Sequence, residues 1–308
     1  MRIVPFGTSS GRPTARRNVS GLGLDLGRRW VLVDCGDGTQ QQIMRSPLKI
    51  HRIDAVLLTH LHGDHVLGLP SLLGTMGMEG RTAPLTLVAP VGVRSWLDAM
   101  LNLPILNLTF DVEVLELESA ASLGTISGLE VTALPLRHRV PSFGYRFAEP
   151  ERRGHVDAAA ATALGLSGPD IGRLQRGERL DGFEGLDAAQ IIGEARPGRV
   201  VTILGDTMYA KTSVELALDA DLLVHECTYA ASDHPYCGQW MHSCSLDVAR
   251  VATEANVGHV VINHFSSRYP DESVLAAEVR ERVPDTTRVT AAVENDPIEI
   301  PFPDNQWS

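Results

Sequence analysis

Residues 59–65 read THLHGDH and follow directly on the apolar run Ala55-Val56-Leu57-Leu58. Four side chains of metal-ligand type, His60, His62, Asp64 and His65, fall within six positions. The apolar run reads as a buried strand. Val66, Leu69, Leu72, Leu73 and Met76 then recur at helical spacing, which predicts a helix over 66–76. The cluster therefore sits at a strand-to-helix junction. On an extended segment side chains two apart share a side, so the His60 and His62 rings point together. Imidazole and carboxylate in one place suit zinc or manganese. A solvated loop with Asp64 as a helix cap is the plain alternative, and four ligand types at this density weigh against it.

A chain built around such a junction needs a sheet that ends at a cleft, and the rest of the sequence supplies the strands. Ile3–Phe6, Gly21–Leu26, Trp30–Val33, Leu85–Val88, Val112–Leu117 and Leu129–Leu134 read as strands of a first half. Val200–Leu204, Leu222–His225 and His259–Asn263 read as strands of a second. Helices are predicted over 93–101, 246–255 and 274–283. This β-rich order with interspersed helices, given twice, predicts stacked sheets with helices on their outer faces. Residues 149–199 break the rhythm with many Gly and Ala and few β-branched residues. They read as a surface loop with two short helices or as an inserted arm projecting from the core.

Composition narrows the class. Of 308 residues 44% are hydrophobic, enough for a buried core. No apolar run approaches the ~20 residues of a membrane span, and the N-terminus lacks the pattern of a secretory signal. Cys35, Cys227, Cys237 and Cys244 follow no repeated spacing, so they read as reduced thiols of a cytoplasmic protein. The formal charge of −11 argues against generalised binding to nucleic acid, leaving only local basic patches.

THLHGDH resembles the signature of the metallo-β-lactamase superfamily. More narrowly, the chain resembles the bacterial ribonuclease Z family of tRNA 3′-end processing endonucleases. The likeness runs through FGTSSGRPTARRN (6–18), VDCGDGTQQQI (33–43), THLHGDHVLGLPSLL (59–73), LRHRVPSFGYR (136–146), ILGDT (203–207), VHECTY (224–229), HSCS (242–245) and NHFSSRY (263–269). The resemblance implies a four-layer αββα sandwich over 1–308 with an exosite arm inserted at 149–199. It implies two Zn²⁺, or Mn²⁺, one held by His60, His62, His138 and Asp206 and the other by Asp64, His65, His264 and a second oxygen of Asp206. His138, Asp206 and His264 each follow a predicted strand, where a sheet end can gather them. The implied reaction removes the 3′ trailer of precursor tRNA by hydroxide attack on phosphorus between the metals, with no organic cofactor. Asp64 would accept the proton, and His242 with Glu226 would supply one to the leaving oxygen. Arg17, Asn18 and Arg268 would touch the RNA near the cut, and Arg173 and Arg176 would touch it through the arm. A homodimer is implied as well.

Some positions depart from the family pattern. Cys227 stands where a small apolar residue is usual, Cys244 where Thr is, and Asn263 where Thr is common. In Pro13-Thr14-Ala15-Arg16-Arg17-Asn18 the usual basic position holds Ala15, with Arg16 one place later. The arm carries seven Arg against nine Asp and Glu, so it is not basic overall. Two other readings stay open: a dinuclear phosphodiesterase acting on small esters, and a non-catalytic RNA-binding protein. A β-lactamase or a glyoxalase fits the later motifs less well.

Overall fold

The computed structural model describes residues 1–101, 108–180, 183 and 186–302. It falls into two compact units, 1–148 with 199–308 and the inserted 149–198.

The larger unit contains two seven-stranded sheets. The first is formed by β1 (Arg2–Gly7), β2 (Gly21–Asp25), β3 (Trp30–Cys35), β4 (Ile53–Leu57), β5 (Leu85–Pro90) and β6 (Val112–Leu117) in chain order. The second is formed by β7 (Ala121–Ile126), β8 (Leu129–Pro135), β9 (Phe143–Ala148), β10 (Val200–Leu204), β11 (Leu222–Glu226), β12 (His259–Asn263) and β13 (Arg288–Ala291). The two-residue β14 (Ile298–Glu299) closes the first sheet against β1. Antiparallel pairing runs from β1 to β3 and from β7 to β10. Parallel pairing runs from β3 to β6 and from β10 to β13. Parallel strands are covered on both faces, which is why β3, β5 and β10 read as continuous apolar runs rather than alternations.

Three apolar layers hold these elements. Leu22, Leu24, Val33 and Leu57 of the first sheet meet Phe143, Tyr145, Val201 and Val224 of the second. The outer face of the first sheet packs Phe6, Trp30 and Val56 on Leu69, Leu72 and Met76 of the helix Leu69–Met78. The outer face of the second packs Leu223, Val260 and Ile262 on Val248 and Val251 of the helix Ser245–Glu254 and on Leu275 and Val279 of the helix Ser273–Arg280. The result is the αββα sandwich that the sequence predicts. The carboxyl ends of β3, β4, β10, β11 and β12 deliver Asp34, the 59–65 segment, Asp206, Glu226 and His264. That is the side on which parallel α/β sheets generally carry their ligands.

The helix expected over 66–76 is divided. Gly63–Val66 and Leu69–Met78 are separate helices. The Gly68 N–H donates to the Cys35 carbonyl at 2.9 Å, and a Cβ at Gly68 would stand 2.1 Å from the Gly36 oxygen. Tertiary contact with the end of β3, not propensity, makes that break. β7, β9, β13 and β14 and the helices Thr39–Arg45, Lys211–Ala217 and His234–Trp240 are additions that periodicity did not show. The helices are seven residues each, too short for two turns of pattern.

The inserted unit has its own apolar centre of Ala161, Leu166, Leu174, Leu180 and Ile191. Its helices are Ala158–Ala163 and Gly168–Gln175. Asp157 caps the first, and Ser167 with Asp170 forms a reciprocal capping box on the second.

Candidate metal centre

The chain from β4 turns through Thr59 into the short helix Gly63–Val66, and a buried carboxylate at the end of β3 secures the turn. Asp34, with φ of 59°, accepts the Thr59 N–H at 2.7 Å, the Thr59 hydroxyl at 2.9 Å and the His65 Nδ1–H at 2.8 Å. That fixes the His65 tautomer and leaves its Nε2 as an acceptor. Three other histidines are held in the same way. His60 Nδ1 lies 3.1 Å from the Thr59 hydroxyl, His138 Nδ1 donates to the Met241 carbonyl at 2.8 Å, and His264 Nδ1 meets the Thr228 hydroxyl at 3.0 Å. His264 itself takes a positive φ of 59°, which turns its ring in at the end of β12.

The nitrogens left over converge. His62 Nδ1 lies 3.0 Å from His60 Nε2 and 3.3 Å from His138 Nε2. His65 Nε2 and His264 Nε2 are 3.4 Å apart. Asp206 Oδ2 is 3.6 Å from His60 Nε2 and 3.4 Å from His264 Nε2, while Oδ1 is 3.5 Å from His65 Nε2. Asp64 Oδ2 is 3.6 Å from His65 and 3.5 Å from His264, and it accepts the Gly11 N–H at 2.8 Å. Among the described residues two donor groups result, His60, His62, His138 and Asp206, and Asp64, His65 and His264, and His242 forms a third, overlapping one with Asp206 and His264. Asp206 adjoins the first two. Ligands bonded at about 2.0–2.1 Å in a tetrahedral shell stand about 3.3 Å apart, which matches these separations. Three ring nitrogens facing one another cannot all be satisfied as hydrogen bonds between neutral imidazoles, so the arrangement fits divalent cations.

For three of the imidazoles the electrostatics favour ligation, whereas at His65 burial is outweighed by Asp206 and Asp34, which raise the ring well above 6.5, so a cation there displaces a proton. Burial holds His60, His62 and His138 below 6.5, in the neutral form that ligates. Burial opposes ionisation of Asp206, but His264 and His65 hold it well below the usual carboxylate range. Asp64 is lowered in the same way by His264 and His65.

Beside the donors lies an ion pair. His242 Nδ1 is 2.9 Å from Glu226 Oε1. Glu226 is 3% exposed and also accepts the Thr207 N–H at 2.9 Å and the Thr228 hydroxyl at 2.6 Å. Burial pushes His242 down, but the Glu226 carboxylate outweighs it and lifts the imidazole to about 9. His242, His62, Asp64, Arg139, Trp240 and Leu67 border a cleft of about 530 Å³.

The residues expected to touch RNA divide. Arg17 is committed inward: its side chain is 10% exposed, and its guanidinium donates to the Tyr269 carbonyl at 2.5 Å, pairs with Glu272 at 3.7 Å and lies over Phe265. Asn18 is half-buried and its N–H donates to Glu294. These contacts use Arg17 and Asn18 in shaping the loop that carries Arg16. Arg16 beside them is exposed, as is Arg268, which lies over Tyr236 at 4.3 Å. In the inserted unit Arg173 and Arg176 both pair with Glu178, at 3.2 and 2.6 Å, which offsets part of their charge. Sequence reasoning assigned no role to Asp34, Thr228 or Glu294. The first two stand inside quoted motifs, VDCGDGTQQQI and VHECTY, and that is the signal that could have found them. Nothing local marks Glu294, which accepts from Thr8, Asn18 and Gln42.

The family model for the beta-lactamase superfamily domain matches residues 29–180. A ribonuclease Z of Bacillus cereus is 36% identical over 97% of this chain and all of its own length. One of Bacillus thuringiensis is 37% identical over 94% of this chain and 97% of its own. Among solved structures, the short form of human tRNase Z superposes with a TM-score of 0.72 at 27% identity, covering 98% of this chain and 100% of that one. A donor cluster at the strand ends of an αββα sandwich, and relatives matched over their whole length, lead to one assignment: the chain belongs to the ribonuclease Z family and has the metallo-β-lactamase fold.

Proposed function

We infer that this protein is a metal-dependent endoribonuclease that removes the 3′ trailer from precursor tRNA. The observation that carries the reading is the pair of donor groups adjoining Asp206, with the His242–Glu226 ion pair beside them. We assign two Zn²⁺ to these groups, with Mn²⁺ able to substitute, since O and N donors take both. His60, His62, His138 and Asp206 would hold one cation, and Asp64, His65 and His264 with Asp206 would hold the other. Bound there, such cations lower the pKa of water and neutralise charge on a phosphate oxygen.

The chain's own groups do the rest. Asp64, oriented by the Gly11 N–H, takes the proton from the attacking water. Glu226 keeps His242 in its imidazolium form, and with Nδ1 on Glu226 the Nε2 proton goes to the tRNA 3′ oxygen as the P–O bond breaks. The tRNA leaves with a 3′ hydroxyl and the trailer with a 5′ phosphate. Arg16 and Arg268 are exposed for phosphate contact, and Arg17 and Asn18 hold the loop that presents Arg16. The inserted 149–199 segment is the tRNA-gripping arm, used across a homodimer. Four free cysteines support a reducing, cytoplasmic setting, and no helix among the described residues is long and apolar enough to cross a membrane.

Incubation with a precursor tRNA carrying a 3′ trailer tests the reading. Zinc-loaded protein should cut after the discriminator nucleotide, and His60→Ala or chelated protein should not. A zinc-replete protein that leaves the precursor intact but hydrolyses a small phosphodiester would replace it with the small-ester reading.

A further inference from the structure

Among the described residues outside the main centre, one group of ligand-type side chains includes a thiol. A ring nitrogen of His234, Sγ of Cys244 and a carboxylate oxygen of Asp247 all lie within 4.8 Å of one another. His234 opens the helix His234–Trp240; Cys244 and Asp247 are the N-cap and third residue of the helix Ser245–Glu254. We propose that these three side chains form a separate thiolate-containing site for a zinc-class cation.

Two of the three donors already stand at the spacing of a filled site. Cys244 Sγ donates its proton to Asp247 Oδ2 across 3.4 Å. Bonds of about 2.3 Å to sulfur and about 2.0–2.2 Å to oxygen at a tetrahedral angle place S and O about 3.5 Å apart. A cation can therefore take the place of that proton with almost no movement of either atom: the S–H proton leaves to solvent, and S–M and O–M bonds form. Sulfur and carboxylate sit at a helix start whose geometry the Asp247–Cys244 N–H bond, at 3.1 Å, already fixes. The third donor, His234, is exposed, so it can swing in and gives the ion a route from solvent. Cys244 is fully buried, and the Cys237 sulfur packs on it, which shields the fourth side and offers a second thiol. A borderline-soft ion suits one sulfur, one imidazole and one carboxylate better than Mg²⁺ or Ca²⁺, which take oxygen.

The consequence reaches the cleft. The two helices are joined through Met241, His242 and Ser243, and the His242 N–H donates to the Cys237 carbonyl at 3.2 Å. A cation bridging His234 to Cys244 and Asp247 clips the two helices together across the segment that carries His242. The site is positional; its ligands touch none of the reacting atoms.

Cobalt(II) substitution of the full-length protein tests the proposal, because the main centre has only nitrogen and oxygen donors. A sulfur-to-cobalt charge-transfer band in the near ultraviolet therefore reports the thiolate site alone, whereas visible d–d bands report cobalt at both sites. The wild type should show the near-ultraviolet band. Cys244→Ser keeps a good capping residue and should abolish the band while sparing the d–d bands of the main centre. His234→Ala, a surface change, should weaken cobalt binding at this band at least about tenfold, since even outer-sphere partners are worth about 10–100-fold. Absence of the band in wild type saturated with cobalt overturns the proposal, as does a band unchanged in both variants.

Discussion

His60, His65, His138 and His264 each spend one ring nitrogen on an orienting partner and leave the other to the cluster. Asp34 is the most connected of those partners, because one buried carboxylate serves both His65 and the Thr59 that backs His60. Asp34→Asn keeps the size and tolerates the positive φ, but it cannot accept from His65 and Thr59 equally. Zinc affinity should fall about 10–100-fold, measured by competition with a chromogenic chelator, with the far-ultraviolet circular dichroism unchanged. An affinity within twofold of wild type would show that Asp34 does not set the His65 tautomer. Glu226 acts one step further out, on His242. Glu226→Gln should lower kcat on precursor tRNA about 10²–10⁴-fold, the usual worth of a positioned proton donor, at unchanged zinc content. Loss of zinc along with activity would instead make Glu226 a support of the metal site.

At the scale of elements, β12 is anchored at its two ends by histidines with opposite tasks. His264 joins the cluster; His259 begins the strand, 8% exposed, its Nε2 2.9 Å from the Thr290 hydroxyl on β13. Burial, with Arg288 adding to it, lowers His259 from an ordinary 6.5 to about 4. Between those values the unfolded chain binds the proton and the folded one does not, so stability falls as pH drops from 6.5 toward 4. The full loss, reached below the lower value, is at most roughly 3 kcal/mol at 1.36 kcal/mol per pH unit. His259→Gln should flatten that part of the curve in urea denaturation between pH 6.5 and 4, leaving neutral-pH stability within about 1 kcal/mol. An unchanged slope would mean that other groups carry the acid sensitivity. The divided helix after the metal motif belongs to the same scale. Its apolar spacing is helical throughout, and only the approach of the Gly36 backbone to Gly68 shows why the chain must break there.

At the scale of the whole molecule, the inserted unit is separable on geometric grounds. β9 and β10 are antiparallel neighbours with Ala148 opposite Val200, so a short turn can rejoin them when 149–199 is removed. The shortened protein should keep its zinc and its hydrolysis of a small chromogenic phosphodiester. Its kcat/KM on precursor tRNA should drop at least about tenfold, mainly through KM, because only distant binding is lost. Processing at the wild-type rate would remove the arm from substrate recognition. The molecule is acidic, −11 overall, so RNA must be met by local cations. Arg173 and Arg176 pairing with Glu178 shows how little of that was countable in advance: formal charge was legible, but which arginines stay unneutralised depends on neighbours the chain order does not reveal.

The sequence by itself determined the chemistry. The density of His and Asp in THLHGDH, the apolar strands before it, and the positions of His138, Asp206 and His264 after other strands could all be read in the chain, because ligand type and two-residue periodicity are local properties. Tertiary structure decided what those residues meet. The orienting roles of Asp34 and Thr228, the inward commitment of Arg17, the Glu294 hub and the contact of Cys244 with His234 and Asp247 each depend on segments brought together by sheet order. Distances of about 3 Å between residues tens to hundreds of positions apart are set by packing of the two sheets, and no local pattern encodes them.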